Sequence, residues 1–142
     1  MSEIERRYNV VMAKQRLHQP LFRTRVLHAY ERRRAVCRLP FGELLDAAHI
    51  KTDAEGGEAR VSNGLALCRI HHGAFDTNIL GVDADYKVVI KESVLDTFDG
   101  PTLQHALKGM HGATLGQLPT HRQEQPDRSL LDERFQRFLQ AS

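Results

Sequence analysis

The central segment of the chain, residues 44–76, limits the fold most strongly because a polar loop joins two structured runs. The run LLDAAHI is typical of a strand that ends near His49, and KTDAEGGEAR is a loop with a Gly-Gly pair. The run SNGLALCRIHHGAFD predicts a helix over about residues 64–75, with Ser62 or Asn63 as its N-cap. The fold must therefore bring a strand end and a helix together around one loop.

Two adjacent histidines, His71 and His72, lie within this predicted helix. Side chains of neighbouring helical residues point about a quarter turn apart, so the two imidazoles face different surroundings. We therefore expect the two histidines to have different functions.

The N-terminal part of the chain predicts two helices that meet at Pro20. Residues 4–18 have a weakly helical pattern, and the Gln19-Pro20 pair marks a break because proline suits the first turn of a new helix. Four apolar residues then recur at helical spacing: Phe22, Val26, Leu27 and Tyr30. The run AVCRL, followed by the turn PFGE, is expected to pair with LLDAAHI as a hairpin.

The patterns after residue 76 predict a second hairpin and a terminal helix. ILGVD and YKVVIKE are short strand-like runs, DGPTLQHAL indicates a short helix from Pro101, and SLLDERFQRFLQ is amphipathic. The predicted fold class is α+β in a single domain over residues 1–142. We divide it into a basic helical lead-in (1–33), a core with the following hairpin (34–95) and a C-terminal extension (96–142).

Composition argues against membrane and secreted classes. The chain has no apolar run of the roughly 18 residues that a membrane span needs. Its charged beginning, MSEIERRYNVV, lacks the apolar stretch of a signal peptide. Two cysteines, Cys37 and Cys68, do not make a disulfide framework. We therefore expect a cytoplasmic protein without membrane contacts.

Positive charge is concentrated near the N-terminus. Residues 1–40 contain ten Lys or Arg and three acidic residues, for a net charge of +7, whereas the remaining residues carry −5. Because Arg binds phosphate groups in a bidentate manner, this block suits a polyanion. A solvated helix face is the alternative interpretation.

Three runs in order, LLDAAHI, VSNGLALCRIHHGAFD and ILGVD, resemble the HNH endonucleases, the ββα-metal nuclease family. They are most similar to the subgroup of bacterial restriction and anti-phage nucleases. The upstream run HQPLFRTRVLHAYERRRAVC also resembles the lead-in that this subgroup carries before its first strand. The resemblance covers about residues 15–95 and implies a ββα-metal core of a hairpin plus a helix. It implies a metal-dependent DNA endonuclease that leaves 5′-phosphate and 3′-hydroxyl ends, in restriction or phage defence.

The resemblance also assigns roles to three residues. It makes His49 the general base, Asn63 the residue that braces the loop of that base, and His72 a metal ligand. These roles suit phosphodiester hydrolysis, because a neutral imidazole can activate water and a divalent cation can stabilise the charge on the phosphate and the leaving oxygen.

Two carboxylates are candidates for supporting His72. Asp46 is the natural oxygen ligand beside it, since a hard cation prefers carboxylate. In a regular strand, however, Asp46 faces away from His49, three residues on, and a bulge would be needed to bring it in. Asp76 either holds the second ring nitrogen of His72 or simply ends the helix. The expected cofactor is one divalent cation, Mg²⁺ or Mn²⁺, with Ni²⁺ and Zn²⁺ as alternatives.

A structural zinc site is a separate hypothesis for Cys68. Many HNH domains hold zinc with two C-x-x-C pairs, and the resemblance places Cys37, Pro40, Cys68 and His71 at those positions. Proline cannot ligate zinc, and tetrahedral structural sites need four ligands. We therefore favour buried cysteines without zinc, with His71 packing or hydrogen-bonding locally.

The expected partner is DNA, contacted mainly through its phosphates. The residues expected to make these contacts are Arg23, Arg25, Arg32, Arg33, Arg34 and Lys51. Cutting both strands favours a homodimer. No run resembles a sequence reader, so we expect a fragment whose reader domain is missing, a chain that works with a separate reader, or a nuclease that cuts with little specificity. RNA or single-stranded substrates, and a non-catalytic binding module, are the alternatives.

Overall fold

One long helix and a two-stranded antiparallel sheet form the frame of the molecule. The computed structural model describes residues 2–33, 35–36 and 41–141, with side chains described outside residues 11–18. The elements are α1 (Glu3–Ala29), β1 (Leu45–His49), β2 (Gly64–Cys68), α2 (Arg69–Asp76), β3 (Leu80–Val82), β4 (Val88–Ile90), α3 (Glu92–Leu95) and α4 (Arg128–Gln140). The predicted α+β class is confirmed, and the division into a lead-in, core and extension stays a prediction.

Helix α1 runs without interruption through Pro20, so the predicted break into two helices is wrong. Ser2 and Glu5 form a capping box at its beginning, which stabilises the first turn. The apolar residues recognised in the sequence are buried in its last third and at its C-cap, namely Phe22, Val26 and Leu27 in the helix and Tyr30 at the cap. This burial offsets the cost of an interior proline, which is about 3 kcal/mol. A local sequence pattern does not include this tertiary contribution, so it marked Pro20 as a helix boundary.

The first hairpin pairs β1 with β2, whereas the sequence predicted AVCRL as the partner of β1. The register is antiparallel and continuous, from Leu45 opposite Cys68 to His49 opposite Gly64, so β1 contains no bulge. Ala35 and Val36 lie in a turn, and residues 37–39 lie outside the described part. The run GLALC is buried along its whole length. A short continuous apolar run does not distinguish a buried strand from a helix, which is why a helix from residue 64 was predicted.

Helix α2 begins at Arg69, after β2, and its N-cap is Cys68. The predicted caps, Ser62 and Asn63, belong instead to a 3₁₀ turn that precedes β2. The backbone N–H of His71 donates to the Cys68 sulfur over 3.4 Å. The strand and the helix therefore meet at one residue, and His71 and His72 lie in the first turn of α2.

Close packing holds α1 on the sheet. A Cβ on Gly64 would lie only 2.6 Å from Cγ2 of Val26, so glycine is required at this contact. The Tyr30 hydroxyl donates to the Gly64 carbonyl over 3.0 Å. The two contacts fix α1 against the start of β2, directly opposite His49.

The second predicted hairpin is present as β3 paired with β4, from Leu80 opposite Ile90 to Val82 opposite Val88. The short helical segment after Pro101 and the terminal helix α4 are also present. Helix α4 packs on β3, where the Phe138 ring lies against Gly81. Within the described residues, no helix is both long and apolar enough to cross a membrane.

Candidate active site

Helix α1, strand β1 and helix α2 surround an open cavity of about 360 Å³. Its lining residues are Gln19, Phe22, Arg23, Asp46, Ala47, His49 and His72. The structure thus brings together four of the predicted site residues from three elements: Arg23 of α1, Asp46 and His49 of β1, and His72 of α2.

His49, the last residue of β1, stacks on the Phe22 ring of α1. The ring centroids are 4.0 Å apart and the planes differ by 16°. Burial lowers the pKa of His49; the Asp53 and Asp76 carboxylates raise it by a smaller amount, and His72 lowers it. A lowered pKa keeps the imidazole neutral at physiological pH, which is the form that accepts a proton. In the sequence, the helical spacing of Phe22 indicated only a core residue and no role in the site.

Asn63 is fully buried and bonds the backbone of the loop that follows His49. Its side-chain oxygen accepts from the Lys51 N–H over 2.8 Å, and its Nδ2 donates to the carbonyls of Lys51 and Glu58 over 2.9 and 2.8 Å. The backbone N–H of Ile50 donates to the Asn63 carbonyl over 2.9 Å. Both ends of the loop are therefore held at the same residue, next to His49.

The loop turns back on itself so closely that Gly57 has no room for a side chain. A Cβ there would lie 1.9 Å from the Lys51 carbonyl oxygen. The Gly-Gly pair recognised in the sequence thus supplies the close approach that lets the loop pack against Asn63.

His72 lies between two carboxylates. Its Nδ1 is 3.1 Å from Oδ2 of Asp46, and its Nε2 is 3.1 Å from Oδ2 of Asp76. Strand β1 keeps a continuous register with β2, so it has no bulge at Asp46. Asp46 and Ala47, whose side chains point to opposite faces of a regular strand, both line the cavity.

The donor set near His72 fits part of a metal site. Among the side chains that the structure describes, no three His, Cys, Asp or Glu residues converge as a metal cluster. Asp46 and Asp76 face opposite nitrogens of His72. Asp46 and His72 nevertheless offer one carboxylate and one imidazole side by side. Hard cations such as Mg²⁺ keep several waters and need few protein ligands, so this pair fits a hydrated divalent cation.

His71 faces away from the cavity and is buried. Its Nε2 is 2.6 Å from the carbonyl oxygen of Ala106, and its Nδ1 is 3.4 Å from the sulfur of Cys68. In the neutral ring, Nε2–H donates to that carbonyl and Nδ1 faces the thiol. The other two positions of the zinc hypothesis, Cys37 and Pro40, lie outside the described residues.

The basic residues expected to contact nucleic acid differ in their surroundings. Arg23 lines the cavity and donates to the Leu45 carbonyl over 2.8 Å. Arg25, Arg32 and Arg33 are exposed. Lys51 is partly buried and lies 3.7 Å from Glu133, and Arg34 is outside the described residues. Arg23 is therefore the basic residue placed at the cavity itself.

A residue that the sequence patterns do not single out, Arg134 of α4, also reaches this region. It contacts the backbone at Ile50 and Phe75 and the carboxylate of Asp76. Arg134 lies on a terminal amphipathic helix, where an arginine normally indicates a solvated face, so no sequence signal marks it.

The family model of the HNH endonucleases matches residues 34–83, the segment that carries β1, β2, α2 and β3. Residues 34–83 form an HNH endonuclease domain. HNH nucleases generally use a divalent metal ion. No curated protein matches the chain significantly.

The fold of the chain is similar to a solved structure described as a modification-dependent TagI restriction endonuclease. The TM-score is 0.58, with 21% sequence identity over 82% of this chain. The match covers 37% of the TagI chain, so the present chain spans little more than a third of the length of that chain. At this identity the likeness concerns the fold.

Proposed function

We propose that the HNH domain is a metal-dependent DNA endonuclease that hydrolyses phosphodiester bonds and leaves 5′-phosphate and 3′-hydroxyl ends. The proposal rests on one cavity that is lined both by His49, which stacks on Phe22, and by the Asp46–His72 pair. A general base next to a candidate cation site is the arrangement that this hydrolysis needs.

His49 is the proposed general base. Its neutral imidazole accepts the proton of the attacking water, and Phe22 holds the ring plane while partly shielding it from solvent. Asn63 fixes the loop after His49 through hydrogen bonds to the backbone at both ends of the loop. The base therefore sits at the end of a strand that hydrogen bonds within the fold hold in place.

Asp46 and His72 are the proposed ligands of one divalent cation, Mg²⁺ or Mn²⁺, with Ni²⁺ and Zn²⁺ as alternatives. When bound, the cation supplies charge neutralisation for the phosphate and the leaving 3′-oxygen. Asp76 accepts from the opposite ring nitrogen of His72, which sets the orientation and tautomer of the imidazole.

DNA is the proposed substrate, held through its phosphates. Arg23 at the cavity and the exposed Arg25, Arg32 and Arg33 can bind backbone phosphates without reading sequence. The fold similarity to a modification-dependent restriction endonuclease supports a role in restriction or phage defence. A separate reader domain and a homodimer that cuts both strands belong to this proposal.

Plasmid cleavage over a panel of Mg²⁺, Mn²⁺, Ni²⁺ and Zn²⁺, with an EDTA control, tests the function. His49→Ala should lower the cleavage rate by about 10²-fold or more. His121→Ala removes an exposed histidine outside the cavity and should cleave like the wild type. Cleavage by His49→Ala at the wild-type rate would contradict the assigned base.

Substrate class is tested with duplex DNA, single-stranded DNA and RNA under the same metal. The proposal expects the highest rate on duplex DNA. A higher rate on RNA or single strands would change the substrate and keep the site. Binding of DNA without cleavage under any metal would favour the non-catalytic module.

The metal ligand is tested by titrating Mn²⁺ into His72→Ala and His71→Ala. His72→Ala should weaken binding by at least about 10-fold, because it removes a proposed ligand. His71→Ala should bind Mn²⁺ like the wild type but lose stability, since it leaves a cavity and an unpaired carbonyl. Equal losses of Mn²⁺ affinity would contradict the assignment.

A zinc analysis of the purified protein tests the expectation that Cys37 and Cys68 are buried cysteines without zinc. One tightly bound zinc per chain would overturn it.

A further inference from the structure

Arg134 lies on the inward side of α4. The neighbouring residues at helical spacing, Leu131 and Phe138, are both buried, so Arg134 projects from the face of the helix that packs on the domain. Its side chain is only 12% exposed. An arginine in this position has exchanged most of its hydration for contacts within the protein, so those contacts must compensate for the lost water.

The guanidinium bridges two elements that are far apart in sequence. Nη1 donates to the Ile50 carbonyl over 3.4 Å, and Nη2 donates to the Phe75 carbonyl over 2.9 Å. The group also lies over the Phe75 ring, 4.5 Å from its centroid. Nη2 is 4.0 Å from Oδ1 of Asp76. The planar fork of arginine can make these contacts at once, which the single ammonium group of lysine cannot.

These contacts adjoin the two histidines of the candidate active site. Ile50 follows His49 directly at the end of β1, and Asp76 is the residue whose Oδ2 faces Nε2 of His72. Phe75 lies in the last turn of α2, where a cation also offsets the negative end of the helix dipole. Burial lowers the pKa of Arg134 and Asp76 raises it, so the carboxylate favours the charged guanidinium.

We propose that Arg134 is a positioning residue of the nuclease site, holding the end of β1 and the Asp76–His72 pair in their relative places. The inference rests on the proposed role of His72 as a metal ligand. In this arrangement Asp76 binds His72 with one oxygen while the other faces Arg134. The imidazole is then oriented toward Asp46 before a cation arrives. Helix α4, outside residues 34–83, thereby becomes part of the site.

Mn²⁺ binding to the full chain without DNA, measured by the electron paramagnetic resonance of free Mn²⁺, tests the proposal. Arg134→Gln should raise the Kd for Mn²⁺ by about 10-fold, as expected for loss of a group that orients a ligand. Arg137→Gln is the matched control on the same helix. Arg137 pairs with Glu55 and Glu133, is 46% exposed and lies one turn farther along, so its change should stay within about 2-fold.

A double-variant cycle separates positioning from general damage to the fold. Asp76→Asn alone should also weaken Mn²⁺ binding by about 10-fold, and adding Arg134→Gln should weaken it by less than about 2-fold more. Losses that multiply in the double variant would overturn the route through Asp76. Wild-type affinity in folded Arg134→Gln would overturn the proposal altogether.

Arg134→Lys keeps the charge and most of the packing, so it folds even if Arg134→Gln does not. It should bind Mn²⁺ more weakly than the wild type, because an ammonium group cannot span both carbonyls. Wild-type affinity in this variant would overturn the proposal.

A chain that shows the expected binding pattern but does not cut DNA would contradict the proposed function and support the role of Arg134. Absence of Mn²⁺ binding in the wild type would overturn both.

Discussion

His71 and His72 are adjacent in the chain, yet their imidazoles lie in different environments. His71 is buried against the Ala106 carbonyl and the Cys68 sulfur, whereas His72 lies in the cavity between Asp46 and Asp76. The quarter-turn separation of neighbouring helical positions produces this difference. One histidine therefore joins α2 to the C-terminal part of the chain, and the other faces the candidate cation site.

The stacking of Phe22 on His49 should appear in the pH dependence of cleavage. Because burial lowers the pKa of His49, the neutral base persists to lower pH, and the acid limb of kcat/KM should lie below the ordinary histidine value of about 6.5. Phe22→Leu exposes the imidazole, so its pKa should rise and the acid limb should move to higher pH. At saturating Mg²⁺, the ratio of the activity at pH 5.5 to that at pH 8 should be about 3-fold lower in Phe22→Leu than in the wild type.

Leu27→Ala is the control for this comparison. Leu27 is buried on the same helix and does not line the cavity, so its truncation should lower stability by about 2–5 kcal/mol without moving the acid limb. An acid limb that stays in place in Phe22→Leu, or that moves equally in both variants, would show that the stacked ring does not tune His49.

At the scale of elements, the segment from residue 64 to residue 76 is a strand followed by a helix, and not one helix. β1 provides an antiparallel partner for Gly64–Cys68, and the buried environment on both sides of β2 accepts its unbroken apolar run. Asn63 therefore lies directly before β2, and not at the N-cap of a helix as predicted. There it lies beside the end of β1, where its side chain reaches the loop after His49.

Asn63→Ala should therefore destabilise the domain strongly. The substitution removes hydrogen bonds to Lys51 and Glu58 and leaves buried backbone groups unpaired, which should lower the free energy of unfolding by about 2–4 kcal/mol. Ser62→Ala, at the preceding position of the same 3₁₀ turn, should change it by less than about 0.5 kcal/mol. Urea denaturation of both variants measures the difference, and similar values would show that the loop does not depend on Asn63.

At the scale of the whole molecule, the basic helix and the terminal helix approach the site from different directions. Helix α1 contributes Phe22 and Arg23 to the cavity, while its first turns, over residues 3–10, remain exposed. Helix α4 contributes Arg134 near the opposite end of His72. The ββα unit between them holds the proposed catalytic groups, and the flanking helices complete their surroundings.

Salt dependence of DNA binding tests the role of the basic lead-in. Removing one phosphate contact lowers the slope of log K against log salt by about 0.9 for duplex DNA. Arg25→Ala should therefore reduce the slope by about one and weaken binding equally on unrelated sequences. Arg122→Ala removes an exposed arginine from the C-terminal part and should leave the slope unchanged. Fluorescence anisotropy in EDTA measures both, and equal slopes in Arg25→Ala and wild type would contradict contact through Arg25.

Local patterns were sufficient for several parts of the fold. The second hairpin, the segment after Pro101 and helix α4 follow from turn residues and apolar spacing within each element. The order of His49, Asn63 and His72 also identified the segment that contains the HNH domain. These features depend on residues close together in sequence, where backbone geometry links spacing directly to structure.

The sequence by itself determined the residue types of the candidate site and their order along the chain. Only the tertiary structure decided that β1 pairs with β2, that α1 continues through Pro20 and that Asp46 reaches His72 without a bulge. It also decided that Phe22 stacks on His49 and that Arg134 binds a carbonyl 84 positions away, at Ile50. Such contacts depend on how whole elements pack to bury apolar surface, which the spacing within any one element does not specify.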